Sequence, residues 1–214
     1  MTINLATDRV HSLRFPVPAL AGIAYSLAWI AGLAVFSSST NVRSTGAQIV
    51  AADSGHTAVL VAQFVLTEGV ASIALAVVAV ALGRALGRAV VVTGVAAAVI
   101  ALVQCALGIT LTMSLGQAGT VATLNDTINR LDGLKMFVLA AMAVAAVRTT
   151  VRSPLPRWLR LVGAALAVAI IVSGLGYGLL NSSLAVAAWL SLPLLLVFVT
   201  GAGIVVGRRT ANGS

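Results

Sequence analysis

The sequence predicts an all-α membrane protein, a single transmembrane domain over residues 1–214 that crosses the bilayer six times. Hydrophobic residues make up 60% of the chain and charged residues only 8%, too few to cover a water-soluble domain of this length. Apolar runs of the length needed to cross hydrocarbon recur along the chain. Aromatic residues reach only 5%, whereas a membrane β-barrel carries aromatic girdles and alternating strands.

Six apolar runs define the predicted spans. The first follows the prolines of RFPVP, which mark a turn or a first helical position. We interpret this run as a membrane helix and not as a cleaved signal peptide, because AVFSSST lacks a small-residue cleavage site. The fourth span must start near Thr127 to be long enough, since its purely apolar part begins only at Met136. The six spans are about 17–36, 57–82, 89–113, 127–147, 161–180 and 184–206.

The basic residues predict the orientation of these spans. If the N-terminus is cytoplasmic, only Arg43, Arg130 and Lys135 lie on the outer side, in or beside the longer loops 37–56 and 114–126. This asymmetry follows the positive-inside rule, so we expect a cell (inner) membrane protein with both termini cytoplasmic. The net charge of +8 then reflects short connections between spans, and we expect no nucleic-acid partner. The inner basic residues are Arg9, Arg14, Arg84, Arg88, Arg148, Arg152, Arg157, Arg160, Arg208 and Arg209.

Three stretches carry a family resemblance: ALAGIAYSLAWIAGLAVF, IVAADSGHTAVLVAQFVL and LDGLKMFVLAAMAVAAVRTTVRSPLPRWLRLVGAAL. They resemble a large bacterial family of six- or seven-helix membrane proteins that is carried as a domain of unknown function. The resemblance covers most of the chain, and LPRWLRLVG is its most recognisable piece. It implies a helical membrane fold and no particular activity, so it assigns no catalytic residue.

Glu68 is an acid near the middle of the second span. It follows His56 by twelve residues, which places it about 18 Å from the outer end of the helix, near the midplane of a core about 30 Å thick. A charged carboxylate facing lipid there costs at least about 2.5 kcal/mol, so we expect Glu68 to face inward, onto an enclosed chamber, and to hold a proton. The same helical face carries Phe64 and Ser72. The alternative is a structural hydrogen bond to a neighbouring helix.

Two other spans offer polar partners for this acid. Gln104 lies beside a stripe of small residues on the third span, and a Gln104–Glu68 hydrogen bond is a reasonable expectation. On the fourth span Asp132 and Lys135 are three residues apart and share a face, which would fit an outer polar cavity that brings Lys135 towards Glu68. We slightly favour another interpretation over the cavity. In it, Asp132 and Lys135 form a surface ion pair at a short helix end, and the lysine snorkels to the interface.

The aromatic residues and the single cysteine complete the candidate site. Tyr25 and Trp29 are one turn apart and deep in the first span, where with Phe64 they could line an apolar pocket beside Glu68; core packing is the commoner role. Cys105 is better explained as a small packing residue than as a nucleophile. Without a cysteine pair or a histidine cluster, we expect neither a metal nor a cofactor. SGLGYG (173–178) predicts a close helix contact at Gly174 and Gly178, or a flexible helix end, and not a potassium filter.

Three classes of function fit these residues. The first is a membrane enzyme that isomerises or cyclises a hydrophobic, isoprenoid-like substrate, with Glu68 as proton donor, Asp132 and Lys135 beside it, and Tyr25, Trp29, Phe64, Gln104 and Ser72 as the binding wall. Small membrane terpene cyclases are similar in architecture only. The second is a proton-coupled transporter or exporter. The third is a non-catalytic membrane subunit. The glycines at 203 and 207 also permit a homo-oligomer.

Overall fold

The computed structural model describes residues 16–36, 40–148 and 155–212. The predicted helical character is confirmed, because nearly all of these residues lie in helices. Three basic residues used to orient the chain, Arg9, Arg14 and Arg152, lie outside the described residues. The helices are α1 (Val17–Val35), α2 (Gly46–Asp53), α3 (Thr57–Phe64), α4 (Ala71–Leu86), α5 (Arg88–Met113), α6 (Ala118–Arg148), α7 (Arg157–Gly178), α8 (Ser182–Ala185) and α9 (Ala188–Asn212); a π-helical turn, Val65–Val70, joins α3 to α4.

Five helical segments of the described chain are long and apolar enough to cross a membrane, one fewer than the six predicted. Their outward faces are apolar even at mid-helix, where Leu27 of α1 and Val168 of α7 are 60% and 67% exposed. A surface of this kind is suited to lipid and not to water. The five segments are Val17–Val35, Thr57–Leu86, Arg88–Met113, Arg157–Gly178 and Ser182–Arg209.

Helix α6 is the element in which the structure departs most from the sequence prediction. The predicted outer loop 114–126 is helical from Ala118, nine residues before the predicted start of the fourth span. With 31 residues α6 is about 46 Å long. It is not among the five apolar segments, because its apolar part is interrupted by Asp132 and Lys135 near the middle of the helix and ends in Arg148. The early start was missed because residues 118–132 are too polar for a membrane span and were assigned to a loop. Their apolar stripe, Val121, Leu124 and Ile128, packs against a small cluster of buried side chains.

The six long helical segments form a closed ring. In ring order α1 packs on α4, α4 on α5, α5 on α6, α6 on α7, and α7 on α9, which returns to α1. Helix α4 also contacts α9 across the ring. The two ends of α6 lie at opposite ends of this bundle, since Ala118 abuts Gly46 and Val147 packs beside Gly163.

The two ends of the ring differ in composition. At one end, the α2 end, Arg43 donates from Nε to the Leu180 carbonyl at 3.0 Å and joins two connections. Helix α2 lies there within the predicted loop 37–56, and a capping box between Thr45 and Gln48 starts it. At the other end, the arginine end, Arg84 and Arg209 line one groove with the start of α1. The sequence did not predict α2, because eight residues are too few for a clear periodic signal.

Glycines allow several of these helices to approach closely. Gly133 of α6 abuts Gly174 and Gly178 of α7, so the predicted close contact at SGLGYG is confirmed. Gly203 and Gly207 of α9 pack against α1 of the same chain, near Pro18 and Pro16. These two glycines therefore serve an intrachain contact.

Candidate functional site

Glu68 lies on the π-turn, the segment Val65–Val70 between α3 and α4. The wider turn directs two consecutive residues inward: Thr67 is only 7% exposed and Glu68 only 9%. Thr67 donates to the Gln63 carbonyl at 2.9 Å and Ser72 donates to the Gly69 carbonyl at 2.7 Å, so side chains bond to carbonyls on either side of the acid. Turns of this kind are rare and occur frequently at functional sites.

Lys135 of α6 binds Glu68 directly. Its ammonium nitrogen Nζ lies 3.0 Å from Oε1 and 2.8 Å from Oε2 of the glutamate. The lysine is 6% exposed, so it is directed into the bundle. The favoured interpretation of Lys135 as a lysine that snorkels to the interface is therefore wrong, and the alternative approach to Glu68 is the one observed.

Asp132 completes a group that we call the ionic triad: Glu68, Lys135 and Asp132. Oδ1 of Asp132 lies 2.7 Å from Nζ of Lys135, so three short contacts match the three donors of the ammonium group. The Asp132 side chain is 19% exposed, against 12% for Glu68 and 8% for Lys135. Asp132 is thus the member of the triad most open to the surroundings.

Gln104 bonds to the triad through Asp132, not through Glu68 as predicted. Its Nε2 donates to the Ile128 carbonyl at 3.1 Å and more weakly to Oδ1 of Asp132 at 3.4 Å. The prediction failed because the rotation and register of α5 bring Gln104 to the backbone and acid of α6 and not to Glu68. Oε1 of Gln104 is buried and has no hydrogen-bond partner among the described residues.

The polar side chains lie between two separate apolar clusters. Towards the arginine end is the main core, and towards the α2 end is a small cluster of Ile49, Leu60, Leu111, Leu115 and Val121. Each of three helices passes from one cluster to the other through a polar residue. The order along the chain is Leu60–Glu68–Ala71, then Ala97–Gln104–Leu111, then Val121–Asp132–Lys135–Leu139.

The triad has one more acidic than basic side chain. With both carboxyls ionised and Lys135 protonated, the group carries a formal charge of −1, and the described chain puts no further cation in contact with it. An unbalanced charge in a dry interior is costly. Binding of one positive charge would therefore stabilise the group, and the smallest cation that could bind is a proton.

The remaining predicted site residues lie near the triad but bond elsewhere. Tyr25 is 3% exposed and belongs to the main core, against which Trp29 also packs, and it lies close enough to all three members of the triad for electrostatic interaction. The ring of Phe64 packs over Gly108 of α5. Ser72 bonds to the Gly69 carbonyl, and Cys105 packs beside Gly69. Cavities of about 780 and 410 Å³ open on the described part of the chain, and neither is lined by these residues.

Two residues of α7 belong to the neighbourhood of the triad and were missed from the sequence. Tyr177 lies close enough to Asp132 and Lys135 for electrostatic interaction. Ser173, one turn away, is fully buried, and its hydroxyl has no partner within the described ranges. The signal that could have found them is the i, i+4 spacing of two polar side chains inside SGLGYG, a stretch in which the glycines are the more conspicuous pattern.

The fold and the site together indicate a multi-pass helical membrane protein with a buried ionic group. Comparison with protein-family models, with curated proteins and with solved structures gives no match for this chain. The function is therefore inferred from the residues and their geometry.

Proposed function

We propose that this chain is a proton-coupled membrane carrier in which the ionic triad is the proton site. The observation that carries the proposal is the polar belt of Glu68, Gln104, Asp132 and Lys135 between two apolar clusters. Carriers bind their coupling ion near the bilayer midplane, between barriers on the two sides. Ionisable residues inside a membrane are functional by default, because their burial is expensive.

The proposal includes six spans, with α6 as the sixth crossing helix and both termini in the cytoplasm. Support comes from the ends of α6, which meet Gly46 at the α2 end and Gly163 at the opposite end. Pairing within the triad lowers the cost of burying Asp132 and Lys135 in a crossing helix. The arginine end is then cytoplasmic under the positive-inside rule.

The triad would exchange its proton through Asp132. In the ionised form, Lys135 contacts both carboxylates and the group carries one negative charge. A proton on Asp132 makes the group neutral and weakens the contact between Asp132 and Lys135. Glu68 and Lys135 then remain as a neutral ion pair. Asp132 is the most exposed member and follows the polar stretch 118–131 of α6, which leads from the α2 end. Because Gln104 of α5 also donates to Oδ1 of Asp132, protonation there would alter the contact between α5 and α6.

Charge displacement after a pH jump tests this proposal without knowledge of the transported molecule. Proteoliposomes on a supported membrane should give a transient current when the pH is changed, since a proton enters the membrane interior. The Glu68→Gln, Asp132→Asn double variant should lose that current, whereas Asp126→Asn, an exposed acid on the same helix, should keep it. A wild-type protein without the current, or a double variant that retains it, contradicts the proposal.

The membrane-enzyme hypothesis is the second candidate. Its support is the burial of Tyr25 and Glu68 in one apolar interior, which suits acid-initiated chemistry on an isoprenoid-like compound. Against it, both oxygens of Glu68 accept hydrogen bonds from Lys135, so the carboxyl is paired with a cation and is not directed at a substrate site. Turnover of a co-purified prenyl compound that stops with Glu68→Gln would favour the enzyme. Loss of stability alone in Glu68→Gln would favour a non-catalytic subunit.

A further inference from the structure

An open groove of about 780 Å³ lies at the arginine end, between the start of α1, the C-terminal half of α4 and the end of α9. Its volume falls in the range of about 300–1,000 Å³ that is usual for small-molecule sites. Nine of its eleven lining residues are proline, valine or alanine, and the other two are Arg84 and Arg209. The groove thus combines a long apolar wall with two positive charges at its rim.

The two arginines have no counter-ion among the described residues. The ion pairs there involve Lys135, Glu68 and Asp132, which lie deeper in the bundle. Both arginines are exposed, so their guanidinium groups are available to a ligand. Each guanidinium can bind a phosphate through two parallel hydrogen bonds.

We propose that this groove binds one anionic membrane phospholipid, with its phosphate between Arg84 and Arg209 and an acyl chain along the apolar wall. A free phosphate would leave that wall uncovered, whereas an amphiphilic anion matches both parts of the groove. Basic pockets between membrane helices are a known way to hold lipid head groups. The site is distinct from the ionic triad and does not depend on the proposed transport function.

Close packing keeps the groove in shape. Gly207 of α9 lies against Pro16 and Ala19, and Gly203 lies against the Pro18 carbonyl, so α1 and α9 are in backbone contact. These contacts hold the start of α1 and the end of α9 together as one wall of the groove. The valines at 77 and 80 of α4 form part of the opposite wall, each only partly buried.

Lipid binding by the purified full-length chain tests the proposal. Native mass spectrometry and thermal unfolding in detergent should be compared with added phosphatidylglycerol, with phosphatidylcholine and with inorganic phosphate. We expect preferential binding of, and stabilisation by, phosphatidylglycerol alone. The Arg84→Gln, Arg209→Gln double variant should bind phosphatidylglycerol roughly 30-fold more weakly.

A matched control separates the groove from general surface charge. Arg88→Gln with Arg208→Gln removes the same charge from exposed residues of α5 and α9 that do not line the groove. This control should keep the lipid preference. A second variant, Ala81→Trp, fills the apolar wall and should reduce phosphatidylglycerol binding with both arginines present. Equal loss in the control, unchanged binding in both groove variants, or stabilisation by inorganic phosphate would overturn the proposal.

Discussion

Lys135 is the residue on which the stability of the buried site depends, because it is the cation that both acids of the triad contact. Lys135→Met leaves Glu68 and Asp132 together without a cation, and removal of one partner from a buried pair costs about 3–5 kcal/mol. Glu68→Gln leaves Lys135 with Asp132 and should cost less, roughly 1–3 kcal/mol. Unfolding in mixed detergent micelles, followed by circular dichroism, measures both losses.

Two further variants make this prediction specific to the pair. Glu68→Gln combined with Lys135→Met should be more stable than the sum of the single losses, since it leaves one acid, Asp132, without a cation, whereas Lys135→Met alone leaves two. Asp126→Asn, which changes an exposed acid of α6, should leave the unfolding curve unchanged. Equal effects of Lys135→Met and Asp126→Asn would show that the buried pair does not form.

The sequence predicted the members of the site better than their pairing. Glu68 was placed inside the bundle because an unpaired acid facing lipid is too costly, and it is buried. Which partner it selects depends on the rotation and axial register of α5 and α6, which vary continuously and leave no trace in the pattern of polar residues. Gln104 and Lys135 were both candidates, and the longer, charged side chain reaches the acid.

The contact between α6 and α7 depends on small residues at one crossing. A Cβ at Gly133 would lie 2.6 Å from the backbone nitrogen of Gly178 and 2.8 Å from the Gly174 carbonyl oxygen. Gly133→Ala should therefore destabilise the protein by about 1–3 kcal/mol, although alanine is the better helix former. Because Gly133 adjoins Asp132, the same change should also reduce the charge displacement after a pH jump.

Gly119 provides the matched control on the same helix. Nothing lies within 4 Å of the position that a Cβ would take there, so Gly119→Ala should be neutral or slightly stabilising in the same unfolding experiment. If Gly133→Ala were as stable as Gly119→Ala, α6 and α7 would not be in backbone contact at this crossing.

The elements were predictable where apolar runs were long and ended in clear turns. The starts of α1, α3 and α5 lie within one residue of the predicted spans. The polar first third of α6 and the short α2 were missed, because hydropathy cannot separate a polar helix from a polar loop. The π-turn was also missed: one extra residue per turn alters which side chains face inward without changing the composition.

At the scale of the whole molecule, the ring of six long helical segments links the burial of the triad to the path of the chain. Each segment contacts the next one in sequence. The connections therefore alternate between the two sides of the membrane wherever a segment crosses, and the open question is whether α6 crosses. A chain with five crossings would place the connections before and after α6 on the same side of the membrane. A chain with six would place them on opposite sides.

Cysteine labelling in intact cells distinguishes these two arrangements. In a Cys105→Ala background, Gly116→Cys before α6 should react with a membrane-impermeant maleimide added outside. Arg157→Cys, exposed at the start of α7, should react only after the membrane is permeabilised. Ser54→Cys, exposed beyond α2, should behave as Gly116→Cys does, because Gly46 of α2 abuts Ala118.

The labelling pattern tests whether the triad can form inside the membrane. Reaction of both Gly116→Cys and Arg157→Cys from outside would mean that α6 does not cross, and the pairing of Lys135 with Glu68 in mid-membrane would then be wrong. Reaction of Arg157→Cys alone would mean that the arginine end faces outward, against the positive-inside rule. Opposite sides, with Gly116→Cys outside, are expected because only a crossing α6 carries Asp132 and Lys135 down to the depth of Glu68.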